Sequence, residues 1–370
     1  MLKYFKLFGA IFFSAVMLSG CYPTGMIQNS NEEGQKTVYE IAEEIDNFTL
    51  SLTLSEDTEN IPAEISKIRV IFQTWDNNKI LELFLGGEPI TEQYEYDDSS
   101  FKDGKNNVYF TESRYLGIRA GSISFVDQSV PEYGYVNLAS RFKSFFLDED
   151  FSYAEECSFP KSDAVNRANG ILDEIGIQNY FLSETWAITA DIANNIFADA
   201  TYTVWYEDKT FEEFPFAQWT KDDEAYVLLY SVNYEELPVM TRSASFAGEF
   251  RPSGSCIYVV ITKDKIISFE CTYIYSERYE TLEDIPVSIS AQTSLENVVQ
   301  YFSKQHLTTP CELFDCKLVY APIESADLGT FILIPMWEFD YGTYGGDFGG
   351  LFMDRIYVDV QNGNRYDTRY

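Results

Sequence analysis

The chain has 370 residues, with 26 Lys and Arg against 59 Asp and Glu and one histidine, a formal net charge of −33 at pH 7. That balance excludes nucleic-acid binding, which needs clustered basic side chains, and disfavours adsorption to anionic headgroups. With 45% hydrophobic and 16% aromatic residues the chain can build sizeable cores, and its length suits two or three domains.

The N-terminus reads as an export leader. Lys3 and Lys6 precede a twelve-residue apolar run, Leu7 to Leu18. A spanning helix needs about 20 residues, whereas such a run suits a cleavable leader. It closes on Leu18-Ser19-Gly20-Cys21, which resembles the lipobox of bacterial lipoproteins. The resemblance implies a diacylglyceryl group on Cys21, removal of residues 1–20 and a lipid anchor on the extracytoplasmic face of the cell membrane. Two acyl chains hold stably where one does not, at ~0.8 kcal/mol per buried methylene. The processed chain would keep 350 residues, 24 basic against 59 acidic, and a charge of −35. Residues 21–36 then form the lipidated cysteine and a polar tether.

Residues 37–155 read as a β-rich N-terminal domain. Phe48, Leu50, Leu52 and Leu54 alternate with polar residues, the period of a half-buried strand. Further strands are expected at Ile68–Thr74, Val108–Ser113 and Ser122–Val126, with a helix at Asn77–Leu85 before Gly86-Gly87. A second helix is expected over 162–176, from a Ser162 N-cap to Gly176. Its apolar stripe is Ala164, Val165, Ala168, Ile171, Leu172 and Ile175. A third spans 293–307, with Thr293 and Glu296 as a capping box and Leu295, Val298, Val299 and Phe302 inward. Each of these two helices precedes a strand (226–239, 330–341) and then a hairpin (257–269, 356–368). The repeated order predicts duplicated units, 156–285 and 286–370, in an α+β fold of antiparallel sheets each packed by one capped helix.

The second unit closes on IPMWEF, with Pro335 and Trp337, followed by IYVDVQNG, with Asp359, Asn362 and Gly363. This pattern resembles the PepSY-related domains of the YycH and YycI regulatory proteins of Gram-positive bacteria, and LPVM (237–240) is its nearest echo in the first unit. The resemblance covers roughly residues 160–370. It implies tandem units without catalytic residues that contact or restrain another extracytoplasmic protein. Those proteins are held by a transmembrane helix, whereas this chain has the mark of a lipid anchor.

Candidate chemistry is sparse. Of the five cysteines after Cys21, Cys256 and Cys271 flank a hairpin turning at Lys263-Asp264. That turn sets them opposite each other, within disulfide reach. His306, Cys311 and Cys316, with Glu312 or Asp315, form an H-x4-C-x4-C run that falls outside usual zinc spacing, so no metal or other cofactor is expected. His306 is expected to cap the end of its helix. No G-x-S-x-G elbow occurs, and DDSSFKDGKNN (97–107) fails the spacing of a calcium loop. The acidic doublets Glu155-Glu156, Glu212-Glu213, Asp222-Asp223 and Glu235-Glu236 read as solvated surface. The Gly-rich segment 342–350 lacks a phosphate-binding lysine, but Tyr341, Tyr344 and Phe348 on it are candidates to seat a partner. The sequence thus points to a non-enzymatic, lipid-anchored binding or regulatory protein. The alternative is a cell-wall or carbohydrate binder or, further off, a glycoside hydrolase.

Overall fold

The computed structural model describes residues 37–38, 45–54, 61–97, 105–130, 133–135, 156–205, 210–235, 237–241, 254–276, 280–325, 327, 329–344 and 351–367. The expected leader, Cys21 and the expected tether, residues 1–36, lie outside the described residues. Among those described, no helix is long and apolar enough to cross a membrane.

At the N-terminus, Thr37–Val38 (β1) pairs with Thr53–Leu54 (β3), with Phe48–Leu50 (β2) between them and Glu64–Ile71 (β4) following. Helix α1 (Asn77–Leu85) starts where the Asp76 side chain accepts from the backbone N–H groups of Asn78 and Lys79. It stops at Gly86, whose φ of 59° lies in the left-handed region that glycine tolerates. Four strands follow: β5 (Glu92–Asp97), β6 (Lys105–Phe110), β7 (Arg114–Arg119) and β8 (Ser122–Asp127). They pair in order as an antiparallel meander.

Helix α2 (Lys161–Ile175) leads into β9 (Tyr180–Ile188). Helix α3 (Ala190–Phe197) and the hairpin β10 (Thr201–Trp205) and β11 (Phe211–Pro215) intervene before β12 (Ala225–Tyr234). Then come β13 (Leu237–Pro238), β14 (Cys256–Thr262) and β15 (Ile266–Thr272). Strands β9, β12, β14 and β15 form a second four-strand meander, and β15 pairs antiparallel with β8. The two meanders thus join through their last strands. Both helices pack on the same face of the resulting sheet, Ile80 and Phe84 of α1 sharing a core with Ala168 and Leu172 of α2. The other face of the second meander is covered by α3 and Trp219 over Val227, Leu229 and Val260.

The remaining chain supplies β16 (Glu280–Pro286), helix α4 (Ala291–Ser303), β17 (Cys311–Glu324), β18 (Thr330–Tyr344), β19 (Leu351–Asp359) and β20 (Arg365–Asp367). β17 to β20 form a third meander after a helix. β4 and β16 extend this sheet beyond one edge of β18, and β2 pairs parallel with β17. The architecture is α+β with antiparallel sheets, as the sequence predicts, but the helix-and-meander order occurs three times rather than twice. Among the described residues of 37–155, only the short pair β1 and β3 makes a sheet of its own. β2 and β4 belong to the C-terminal sheet, while β5–β8 complete the other, because β8 and β15 each present an open edge to the other.

Two helix starts differ from expectation. α2 begins at Lys161 behind Pro160, whose fixed φ presets the first turn, and Ser162 makes no cap. α4 begins earlier, with Ser290 Oγ accepting from the Thr293 N–H, so Thr293 is the capped residue and not the cap. His306 is exposed two residues past the C-cap Lys304, and the backbone N–H groups of Lys304 and Gln305 meet the last carbonyls in its place.

The Cys256–Cys271 disulfide is also overturned. The register is the expected one at the turn, where Ile261 faces Ile266, but a bulge shifts it by one from Val260 onward. Cys256 then faces Thr272 and Cys271 faces Ile257, which puts the two sulfurs on opposite faces of the sheet. Cys256 lies in the core under α3 and Cys271 in the core under α1 and α2. Cys157, Cys271, Cys311 and Cys316 form no disulfide and are buried. Burial pushes the Cys157 thiol up to about 12 and those of Cys271 and Cys316 up as well. These four thiols are therefore expected to resist alkylation in the native protein at pH 8. All four should react in unreduced urea, as read by mass spectrometry. A Cys271 that stayed unmodified in urea would restore the disulfide.

Asp127 and Lys265 tie the seam between the first two meanders, Nζ to Oδ2 at 2.9 Å. Burial alone would raise this carboxyl. Hydrogen bonds from Ser129 and Lys265 outweigh burial and hold it below the usual aspartate value. A depressed folded pKa stabilises above the unfolded value of about 3.9 and is lost as pH falls through the folded one. Lys265→Met should therefore flatten the fall in stability between pH 5 and pH 2, measured by urea titration at each pH. An unchanged slope would show that the pair contributes nothing.

Candidate binding surface

The face of β5–β8 turned away from α1 and α2 carries an aromatic patch. Cross-strand partners share a face, so the register sets Glu92, Phe110, Tyr115 and Val126 in one row. Tyr94, Val108, Gly117, Ser124, Glu270 and Tyr258 form the next. Tyr94 meets Phe110 edge to face at 6.1 Å, and Phe110 meets Tyr115 at 5.3 Å. Gly117 leaves a recess of about 40 Å³ in the sheet surface, bordered by Tyr96, Asn106, Arg119 and Glu270. A Cβ at Gly117 would meet the Tyr115 hydroxyl at 2.8 Å, so the Tyr115 ring leans along β7 over this position and would have to shift for any side chain there. Burial pushes the Tyr115 phenol up, and the nearby Tyr96 and Glu270 add to that.

Tyr94 and Tyr96 are 52% and 54% exposed, although they sit in regular strand. β5 ends its sheet, and every residue from Gln93 to Asp97 is exposed. Three of its six residues are acidic. Lys105 on β6 ion-pairs with Glu95, which raises the lysine. A wider depression of about 570 Å³ opens where α1 ends, with Leu81, Leu85 and Ile90 as its apolar walls and Glu82 and Glu88 at its rim.

The C-terminal sheet holds a different constellation on the face away from α4. Arg355 Nε is 2.7 Å from Asp340 Oδ1, and Lys317 Nζ is 3.0 Å from Glu338 Oε1. Arg355 also donates to Thr241 Oγ1 at 3.0 Å. Glu338, Asp340 and Arg355 are all but completely buried. Burial raises both carboxyls. Arg355 and Lys317 more than offset this at Glu338, while at Asp340 burial, helped by the acids Glu338 and Asp315, prevails and leaves the carboxyl raised. Lys317 and Arg355 thus each pair with both Glu338 and Asp340, with Lys317 half-buried at the edge of the cluster.

Sequence candidates fare unevenly. Tyr341 is not on a loop: it lies within β18, fully buried, facing Leu313 and Asp354, its ring 5.2 Å from Phe302. It continues the inward alternation of Trp337 and Phe339, which was the signal that it belongs to the core. Tyr344 ends β18 opposite Leu351, and Phe348 lies outside the described residues. Cys311 and Cys316 are buried in the core under α4 while His306 is exposed. Among the described residues no three His, Cys, Asp or Glu side chains group to hold a metal. Glu212 and Glu213 are exposed on β11, and Asp223 accepts from the Thr220 N–H in a turn. Glu155 and Glu236 lie outside the described residues. Tyr94 and Tyr96 escaped sequence reasoning because EQYEYD looks like an acidic loop. Their spacing of two was the available signal.

No family model matches the chain, and no curated protein matches it in sequence. In structure it is similar to an uncharacterized protein from Eubacterium rectale ATCC 33656, a crystal structure at 1.45 Å resolution. The TM-score is 0.59 at 13% identity, over 90% of this chain and 92% of that one. The likeness is one of fold.

Proposed function

We propose that this chain is a lipid-anchored protein of the extracytoplasmic membrane face, without catalytic chemistry of its own, that holds or regulates another cell-envelope protein. The observation that carries this reading is the pair Tyr94 and Tyr96. They are more than half exposed on a terminal strand and backed by Phe110 and Tyr115. Exposed aromatics held rigid by a sheet are favoured anchors for a partner. Support for the address comes from the Lys3–Cys21 leader. Support for the class of role comes from the resemblance of the IPMWEF and IYVDVQNG segments, within roughly residues 160–370, to PepSY-related domains. An anchored protein should lose its membrane attachment in a Cys21→Ser variant, read by cell fractionation.

Photo-crosslinking residues at 94 and 96 in the full-length protein in cells test the surface, with position 211, also 54% exposed, as the control. The expected result is one membrane or secreted protein recovered from 94 and 96 and not from 211. The same recovery from all three positions, or from none, would overturn the reading. Polar groups beside Tyr96 and Tyr115, namely Asn106, Arg119 and Glu270, favour a glycan as the second reading. In that case a saccharide array would give binding that Tyr96→Ala abolishes.

A further inference from the structure

We infer that β5 receives an extended segment of the partner as an added strand, and that this segment alternates apolar with basic residues. This rests on the binding role proposed above and names the partner's chemistry. β5 is the last strand in its sheet, and its pairing with β6 runs unbroken from Glu92 opposite Phe110 to Asp97 opposite Lys105. Natural edge strands are blunted by proline, a bulge, lysine or a covering element, since an open edge is a template for pairing. β5 contains no proline, no bulge and no lysine. Its exposure along both faces shows that no described element covers it.

The charges on β5 decide which strand can add. Glu92, Glu95 and Asp97 would lie against the same acids in a second copy of this chain, and like charges directly opposite are destabilising. Self-pairing is disfavoured, whereas a basic segment is drawn in by the same groups and by the net charge of −33. The two faces make different demands. Tyr94 and Tyr96 project on the aromatic face, beside Val108 and Asn106. Glu95 and Asp97 project on the opposite face, beside Asn107 and Lys105. Side chains of an added strand sit about 5 Å from those they face, and successive ones alternate between faces. Residues beside Tyr94 and Tyr96 are therefore apolar, and those beside Glu95 and Asp97 are Lys or Arg. Main-chain hydrogen bonds supply the affinity and the alternation supplies the specificity.

The test uses the full lipidated protein in detergent micelles and synthetic peptides of about 12 residues. One alternates Val with Lys, one has the same composition in two blocks, and one alternates Val with Glu. Two further copies of the first are N-methylated at every second residue, in either register. The alternating Val-Lys peptide is expected to bind at least tenfold tighter than the block and Glu peptides. N-methylation should abolish binding in one register and be tolerated in the other, because only one edge of the peptide faces β5. E95K/D97K should lower affinity for the Lys peptide at least tenfold and raise it for the Glu peptide. Equal binding of the block peptide, tolerance of N-methylation in both registers, or indifference to E95K/D97K would overturn strand addition. A partner still cross-linked at positions 94 and 96 under those outcomes would leave the binding role standing. Absence of any cross-linked partner would remove the role itself.

Discussion

Arg355→Met is expected to destabilise the protein by about 3–5 kcal/mol, the cost of leaving buried charges without their partner. The guanidinium is fully enclosed and holds Asp340 at 2.7 Å. Without it, Asp340 and Glu338 lie on one face of β18 with only Lys317 to neutralise them. The loss extends beyond the sheet. Thr241, which accepts from Arg355, follows the segment where Val239 bridges Tyr320 and the Met240 N–H bonds the Tyr320 carbonyl. That segment is one of the places where the two large sheets meet, so the variant should loosen their junction. Urea unfolding read by tryptophan fluorescence provides the measurement. Replacing all four charges together with apolar residues of similar volume should recover most of the loss, because the desolvation cost then disappears as well. A single-variant loss below 1 kcal/mol would mean that water reaches the network.

Tyr341→Ala should cost about 3 kcal/mol or more, the range for emptying an aromatic site in a packed core. Substitution of an exposed binding residue typically changes stability by less than about 0.5 kcal/mol, so this variant decides between core and surface. Phe302→Ala should cost a similar amount. The two rings touch at 5.2 Å, so the double variant should lose less than the sum of the single losses. Full additivity would show that the rings do not share a core. Tyr94→Ala and Tyr96→Ala serve as the contrast, with near-native stability expected and the loss confined to partner capture.

Much of the fold was legible because it rests on local periods. α1 was expected at Asn77–Leu85 and is found there, since an apolar stripe and a glycine stop are both written within a few residues. β8, β18 and the hairpins of β14–β15 and β19–β20 follow from alternation and turn residues. β5, β7, β9, β10, β11, β16 and β17 were missed, and three of them show why. β5 buries none of its side chains, so it shows no hydrophobic alternation. β7 is interrupted by Gly117 and framed by Arg114 and Arg119. In β9 the inward residues Trp186 and Ile188 come only at the end.

The candidate surface was less legible than the fold, and the two errors share a cause. Tyr341 was taken for a loop aromatic because glycines follow it, while Tyr94 and Tyr96 passed unremarked because acids surround them. In both places the composition of the neighbourhood misled and the spacing of two told the truth. Spacing reveals which residues share a face, but not which face another element covers.

By itself the sequence determined the charge, the apolar N-terminal run that ends at Cys21, three of the four described helices and the place of strand β18. All of these depend on neighbours within about four positions along the chain. The tertiary structure alone decided that strands of residues 37–155 join two large sheets, that a one-residue bulge separates Cys256 from Cys271, that Glu338, Asp340 and Arg355 lie buried with Lys317 beside them, and that β5 is left at an edge. Each of these turns on which distant strand pairs with which, and in what register. A slip of one residue in that register reverses every side chain from core to solvent.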